Sequence, residues 1–417
     1  VILKHTLPNG IRIVAEQIPY VRSVAVGIWI GTGSENETPG ENGISHFIEH
    51  MMFKGTKKRT ARQLAEAFDE IGGHVNAFTA KEMTCYYAKV LDQHFPISLE
   101  ILADMFFEST FAETEIEKEK KVIVEEIRMV EDTPDDLVHD LLSEASFGNH
   151  ALGHPVLGSV ENVQGFRRED LLRYKDRYYN PHNVVIAVAG NLPDDYLQQV
   201  EAAFARHEGD SVSVKNKRPS FTPNIKIKKK KTEQTHLCLG LPGLSVSDSR
   251  IYTLVLLNNV LGGNMSSRLF QEIREERGLA YSVFSYHSAH RETGLFAIYA
   301  GTAHGQENEV LECVQNILSE VKENGLTASE LNKAKEQLKG SLMLGLESTN
   351  NRMSRLGRNE LLLGRHITLD QIVESVEKIT LDDVNQLARE IFSSPMSLAL
   401  ISPEGKVPQS FRRNNLA

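Results

Sequence analysis

The chain has 417 residues, of which 41% are hydrophobic and 24% charged, with a net charge of −10 at neutral pH. That length exceeds what one hydrophobic core usually organises, so two domains are expected. The composition excludes a disordered or fibrous chain, the lack of an apolar run of about 18 residues excludes a membrane-spanning helix, and the acidic balance speaks against general nucleic-acid binding.

The opening, VILKHTLPNGIRIVAEQ, reads as strand, a turn at Asn9-Gly10, then strand. It lacks the apolar core and small-residue cleavage site of a signal peptide, so a cytoplasmic location is expected. SVAVGIWIG, from Ser23, is a buried strand. GTGSENETPGENG, residues 31 to 43, has neither the glycine spacing nor the Lys-Ser/Thr ending of a phosphate loop, and leads into the next helix.

That helix, SHFIEHMMFKGT at 45 to 56, is apolar apart from His46, Glu49 and His50. Residues three and four apart share a helix face, so these three side chains project together. Two imidazoles on one face supply two ligands to a divalent metal, and a catalytic zinc takes a third protein ligand while keeping one position for water. Glu49 is placed to take a proton from that water. The order H-x-x-E-H inverts the commoner H-E-x-x-H and is the inverzincin signature; an exposed polar face is the alternative reading of the five residues alone.

GGHVNAFTAKEMTCYYAKV, residues 72 to 90, alternates as a strand whose edge could receive an extended peptide by strand addition. The helix EIEKEKKVIVEEIRMV offers Glu119, Glu125 and Glu126. Glu119 and Glu126 are two turns apart on one face, so one could coordinate the metal and the other orient the site. The acidic EDTPDDLVHD follows, and YNPHNVVIAVAGN carries a buried strand after Pro181.

The second half resembles the first. THLCLGLPG, from Thr235, repeats the strand at Ser23 with an offset of 212, and FSSPMSLALISPE repeats Pro181 at Pro395 with an offset of 214. Helical patterns fill the space between in both halves. Two homologous α+β domains are expected, at residues 1–210 and 226–417, joined by a linker at 211–225. The basic IKIKKKKTEQ at 225 to 234 reads as a solvated linker and strand edge. Shifting the metal motif by 212 gives Asn258, Leu261 and Gly262, so only the first domain is expected to bind metal. Cys85, Cys238 and Cys313 are far apart and read as buried thiols.

HFIEHMMFKGT, GGHVNAFTAKEMTCYYAKV, EIEKEKKVIVEEI, HPVLGS and REERGLAYSVFS, with Glu126 76 positions after His50, together resemble the pitrilysin family of zinc peptidases (M16), in the subfamily of the mitochondrial processing peptidase β-subunit and its bacterial relatives. The resemblance covers nearly the whole chain. It implies two related α+β domains, each a mostly antiparallel sheet with helices packed on one face. It implies one Zn2+ per chain held by His46, His50 and Glu126, with Glu49 as base, Glu119 as supporting acid and Glu125 facing away. Arg274 and Tyr281 match a pair that reaches the active site and can donate to the oxyanion. Phe53 would line the pocket for the residue after the cut, and Asn76 and Ala77 would lie on the substrate strand. Asp136 and Asp140 match two acidic positions that in mitochondrial processing peptidases receive an upstream arginine. The expected activity is endopeptidase cleavage of extended peptides or unfolded segments, by a homodimer enclosing a chamber, with no nucleic-acid or membrane partner. The family also contains members that lost catalysis, so a non-catalytic peptide-binding or scaffold protein is the alternative; the intact ligands and base argue against it.

Overall fold

The computed structural model describes residues 2–211 and 217–411. In chain order the first half runs β1 (Ile2–Thr6), β2 (Arg12–Gln17), β3 (Ser23–Ile30), α1 (Ile44–Met51), α2 (Ala61–Glu70), β4 (His74–Thr79), β5 (Thr84–Leu91), α3 (Phe95–Glu108), α4 (Glu113–Glu131), α5 (Pro134–Phe147), α6 (Val160–Gly165), α7 (Arg168–Tyr178), β6 (Val184–Gly190) and α8 (Tyr196–Phe204). The second runs β7 (Ile225–Lys229), β8 (Thr235–Pro242), α9 (Ile251–Gly262), a π-helical turn at Phe270–Glu276, β9 (Ala280–Ala289), β10 (Gly294–Thr302), α10 (Glu307–Asn324), α11 (Ala328–Gly345), α12 (Thr349–Leu363), α13 (Leu369–Lys378), α14 (Leu381–Phe392) and β11 (Ser397–Ser402).

The strands form two sheets, ordered β1-β2-β6-β3-β5-β4 and β7-β11-β8-β10-β9. Each is antiparallel except for one parallel pair, β2 with β6 and β7 with β11. Apart from β1, the second order repeats the first strand for strand, as the constant offset predicts. The α+β class with two mostly antiparallel sheets holds.

Both faces of each sheet are apolar. Along β3, Val24, Val26, Ile28 and Ile30 join the large core built with α1, α2, α3, α4, α7 and α8, while Ala25 and Trp29 turn to the opposite face, as strand alternation requires. A sheet with two apolar faces needs two covers. The helices of the first half supply one; the other is α12, whose Met353, Leu356 and Leu361 close over Ala25, Trp29, Val185 and Ala187. The second sheet is treated reciprocally: Leu137, Val138 and Leu142 of α5 pack on Cys238, Ala297, Ala399 and Ile401.

The compact units therefore cross the halves of the sequence. Unit 1 comprises Val1–Arg128, Pro155–Asn216 and Leu344–His366; unit 2 comprises Met129–His154, Lys217–Met343 and Ile367–Ala417. This differs from the contiguous division at 1–210 and 226–417, and each unit carries one helix on the face away from the others. Of the expected linker at 211–225, residues 212–216 lie outside the described residues. Helix α12 sits close: a Cβ at Gly357 would fall 2.3 Å from the Trp29 ring, and Trp29 Nε1 donates to Met353 Sδ at 3.3 Å. Its buried Glu360 pairs with Lys4 at 2.8 Å and Arg12 at 3.2 Å.

Candidate metal centre

Helix α1 buries Ile44, Phe47, Ile48 and Met51, an i, i+3, i+4, i+7 stripe that faces the core. His46, Glu49 and His50 fall on the other face. On α4 the buried stripe is Ile116, Ile123, Val124 and Ile127, with Glu119 buried among them. Glu126 is partly exposed, and Glu125, 70% exposed, pairs with Arg128 instead.

The two helices bring three donors together. Glu126 Oε2 lies 3.6 Å from His46 Nε2 and 3.5 Å from His50 Nε2, and the three donor atoms are all within 4.8 Å of one another. Tetrahedral zinc with ligands at about 2.0–2.1 Å sets donors about 3.3 Å apart, so this set suits such an ion with small movements. Among the described residues it is the one group of three or more metal-binding side chains so arranged.

The surroundings set the state of these side chains. Burial pushes His46 down to about 3, so its imidazole is neutral, the form that binds a metal. His46 Nδ1 is buried without a hydrogen-bond partner among the described residues. His50 is held differently: its Nδ1 is 2.9 Å from Glu119 Oε2, and Lys54 Nζ is 2.8 Å from Glu119 Oε1. That contact leaves His50 Nε2 to face Glu126. Burial alone would lower His50, but Glu119, Glu126 and Glu49 outweigh it and raise the ring's pKa. Burial likewise disfavours the Glu119 anion, yet His50 and Lys54 hold its carboxyl below the usual range. Glu49 is raised by burial, against a bond in which Thr79 Oγ1 donates to its Oε2 at 2.5 Å.

Sequence reasoning missed Thr79 and Lys54. Strand alternation puts Thr79 on the face of Ala77, a signal that could have found it; Lys54 follows the end of α1, where helical spacing no longer applies. Among the substrate candidates, β4 is the edge of its sheet. Asn76 is exposed, and its Oδ1 accepts from the Ala77 N–H at 2.8 Å. Phe53 is half-buried, its ring 6.4 Å from Tyr86. Asp136 is exposed and Asp140 half-buried, both on α5 and hence in unit 2. Arg274 and Tyr281 also belong to unit 2. The π-helical turn presents the Arg274 guanidinium over the Tyr281 ring at 4.4 Å and the Phe270 ring at 4.7 Å, and Tyr281 is 75% exposed.

Fold and site together define a class: a duplicated α+β chain whose first repeat sets two histidines and a carboxylate around a metal position, with a second carboxylate beside them. Residues 12–160 match the family described as insulinase (peptidase family M16), and residues 165–338 match the one described as the peptidase M16 inactive domain. The chain belongs to peptidase family M16. An uncharacterised zinc protease of Bacillus subtilis, YmxG, is 55% identical over 98% of this chain and 100% of its own. Another, from Streptomyces coelicolor, is 43% identical over 95% of this chain and 89% of its own. A protease from Helicobacter pylori has the same fold, with a TM-score of 0.89 at 22% identity over 97% of this chain and 99% of its own. So does a Pseudomonas fluorescens protein described as a peptidase M16 inactive domain, with a TM-score of 0.90 at 21% identity over 98% and 99%. Among the described residues no helix is long and apolar enough to cross a membrane.

Proposed function

We propose that the protein is a zinc-dependent endopeptidase acting on extended peptides or unfolded segments. The observation that carries this reading is the gathering of His46, His50 and Glu126 around one position beside Glu49. The names of its relatives as zinc proteases support it. One zinc ion per chain, bound there, would acidify a coordinated water and polarise the scissile carbonyl.

The chain's own residues do the rest. Glu119, backed by Lys54, fixes the orientation of His50. Thr79 occupies Glu49 Oε2, leaving Oε1 to take the water proton and return it to the departing amide nitrogen. The free edge of β4, at Asn76 and Ala77, seats the peptide as an added strand, which recognises backbone more than side chain. Phe53 faces the residue after the cut, and Asp136 and Asp140 hold an upstream arginine through charge-assisted bonds. Arg274 and Tyr281 donate to the oxyanion from the second chain of a cytoplasmic homodimer that encloses a chamber.

Metal analysis and peptide hydrolysis on purified variants test this. Glu49→Gln keeps zinc and loses turnover by about 10²–10⁴-fold; full turnover in that variant would sink the assignment, and a wild type that binds peptides without cutting them would favour a binding or scaffold role. For the dimer, mixing Glu49→Gln chains with Tyr281→Phe chains restores one working site in each mixed pair. If exchange is verified by mass and activity stays absent, the shared site is wrong.

A further inference from the structure

Helix α1 has only eight residues, too few to be stable alone, and it begins without a cap of its own. Its N-cap is Gly43, at φ +100°, which has no side chain to accept from the first-turn N–H groups. The Ser45 N–H of that turn and the N–H of Gly43 itself are satisfied from further back in the chain. The Gly43 N–H donates to Glu37 Oε2 at 2.9 Å, and the Ser45 N–H donates to Glu37 Oε1 at 2.9 Å. Asn42 Nδ2 donates to the same Oε2 at 3.1 Å and to the Pro155 carbonyl at 2.9 Å. Glu37 is only 4% exposed. The other glutamate entering the helix start, Glu41, instead closes its own turn by accepting from Thr38.

We infer that Glu37 is a positioning residue for the metal centre: its carboxylate fixes the rotation of α1 about its axis, and so the directions in which His46 and His50 point. The residue bound by Glu37 Oε1, Ser45, directly precedes His46. Its hydroxyl donates to Tyr174 Oη at 3.0 Å, so the first turn is tied on two sides. The position is unforgiving, because a Cβ on Gly43 would fall 2.7 Å from the Leu157 carbonyl oxygen. A carboxylate is electrostatically suited to a helix N-terminus, yet here burial pushes its pKa up to about 7. A buried acid held at that cost, on an element that carries two ligands, fits a requirement for geometry, since metal and catalytic sites tolerate only about 0.5 Å of displacement.

This inference rests on the metal-centre reading, and the test separates the two. Zinc affinity of the full chain is measured by competition with a chromophoric chelator, well below the melting temperature of the metal-free protein, which is recorded by circular dichroism. Glu37→Gln replaces one acceptor with an NH2 group facing N–H donors; zinc affinity falls about 10-fold or more in a chain that remains folded. Glu37→Asp, which keeps the charge but is one methylene shorter, falls between the two, and it carries the test should Glu37→Gln not fold. Wild-type affinity in both variants overturns the inference, as does a loss that merely follows the unfolded fraction. If the wild-type chain itself binds no zinc, the metal-centre reading falls and this one with it; if wild type binds and the variants bind equally, only this one falls.

Discussion

Helices α1 and α9 follow equivalent strands, β3 and β8, in sheets of matching order, yet one leaves a polar face open and the other is closed over. Helix α1 presents His46, Glu49 and His50 beside a short edge strand, β4, of six residues. Helix α9 buries Leu254, Leu256, Leu257, Val260 and Leu261, and its edge strand β9 runs for ten residues. At Gly262, the offset counterpart of His50, a Cβ would fall 2.5 Å from the Ser285 backbone nitrogen of β9. The strand occupies the room an imidazole would need. A metal centre thus requires space as well as ligands, and the second repeat uses that space for packing.

The largest effect expected from this contrast is on metal-linked stability. Zinc at about 1,000 times its dissociation constant stabilises the chain by about 4 kcal/mol, and His46→Ala and Glu126→Gln abolish that gain; denaturant unfolding with and without zinc measures it. Retention of the gain in His46→Ala would place the metal elsewhere.

Next is the exchange of helices between the two sequence repeats. Met353→Ala opens a cavity under α12 and is expected to cost about 2–5 kcal/mol. Trp29 is the only tryptophan in the chain and is 1% exposed, so loosening of α12 shifts its fluorescence to the red. A residue 1–210 fragment, lacking α12, is expected to show the same red shift and to aggregate, because the outer face of its sheet has lost its cover. A fragment that stays monomeric with buried tryptophan would show that α12 is dispensable.

The tight approach at Gly262 predicts a smaller change of opposite sign from another glycine. Gly262→Ala is expected to destabilise by about 1–3 kcal/mol, as overpacking does. Gly340→Ala, in α11 with nothing within 4 Å of its added Cβ, is expected to stabilise by roughly 0.5–1 kcal/mol. Thermal melting of the metal-free variants decides both, and a neutral Gly262→Ala would mean that β9 yields easily.

The smallest effect concerns the acidic pair on α5. Asp136→Asn with Asp140→Asn lowers cleavage of arginine-containing peptides by about tenfold, the worth of about 1.4 kcal/mol of charge-assisted bonding, and leaves neutral peptides unchanged. Equal loss on both classes would assign these residues to the packing of α5 instead.

Much of this is legible in the sequence. The H-x-x-E-H face is local, since helical spacing alone puts His46, Glu49 and His50 together, and the constant offset between halves carried the duplicated strand order. The choice among Glu119, Glu125 and Glu126 is not local: residue spacing leaves it open, and only the family resemblance singles out Glu126. In the sequence Glu37 is only part of a loop, because a cap delivered from six to eight residues upstream follows no helical or strand period.

The sequence by itself determined which helix carries the His46, Glu49 and His50 face and how many times the sheet motif occurs, because both are written in periods of two to four residues or in direct repetition. Only the tertiary structure decided that α5 and α12 each cover the other repeat's sheet, that Glu119 and Lys54 brace His50, and that β9 packs against Gly262, the offset counterpart of His50. The helix covers depend on which apolar surfaces meet between distant parts of the chain, and burial is non-directional, so no local spacing encodes the partner; the bracing of His50 and the approach of β9 to Gly262 depend on contacts between different elements, which no helical or strand period records.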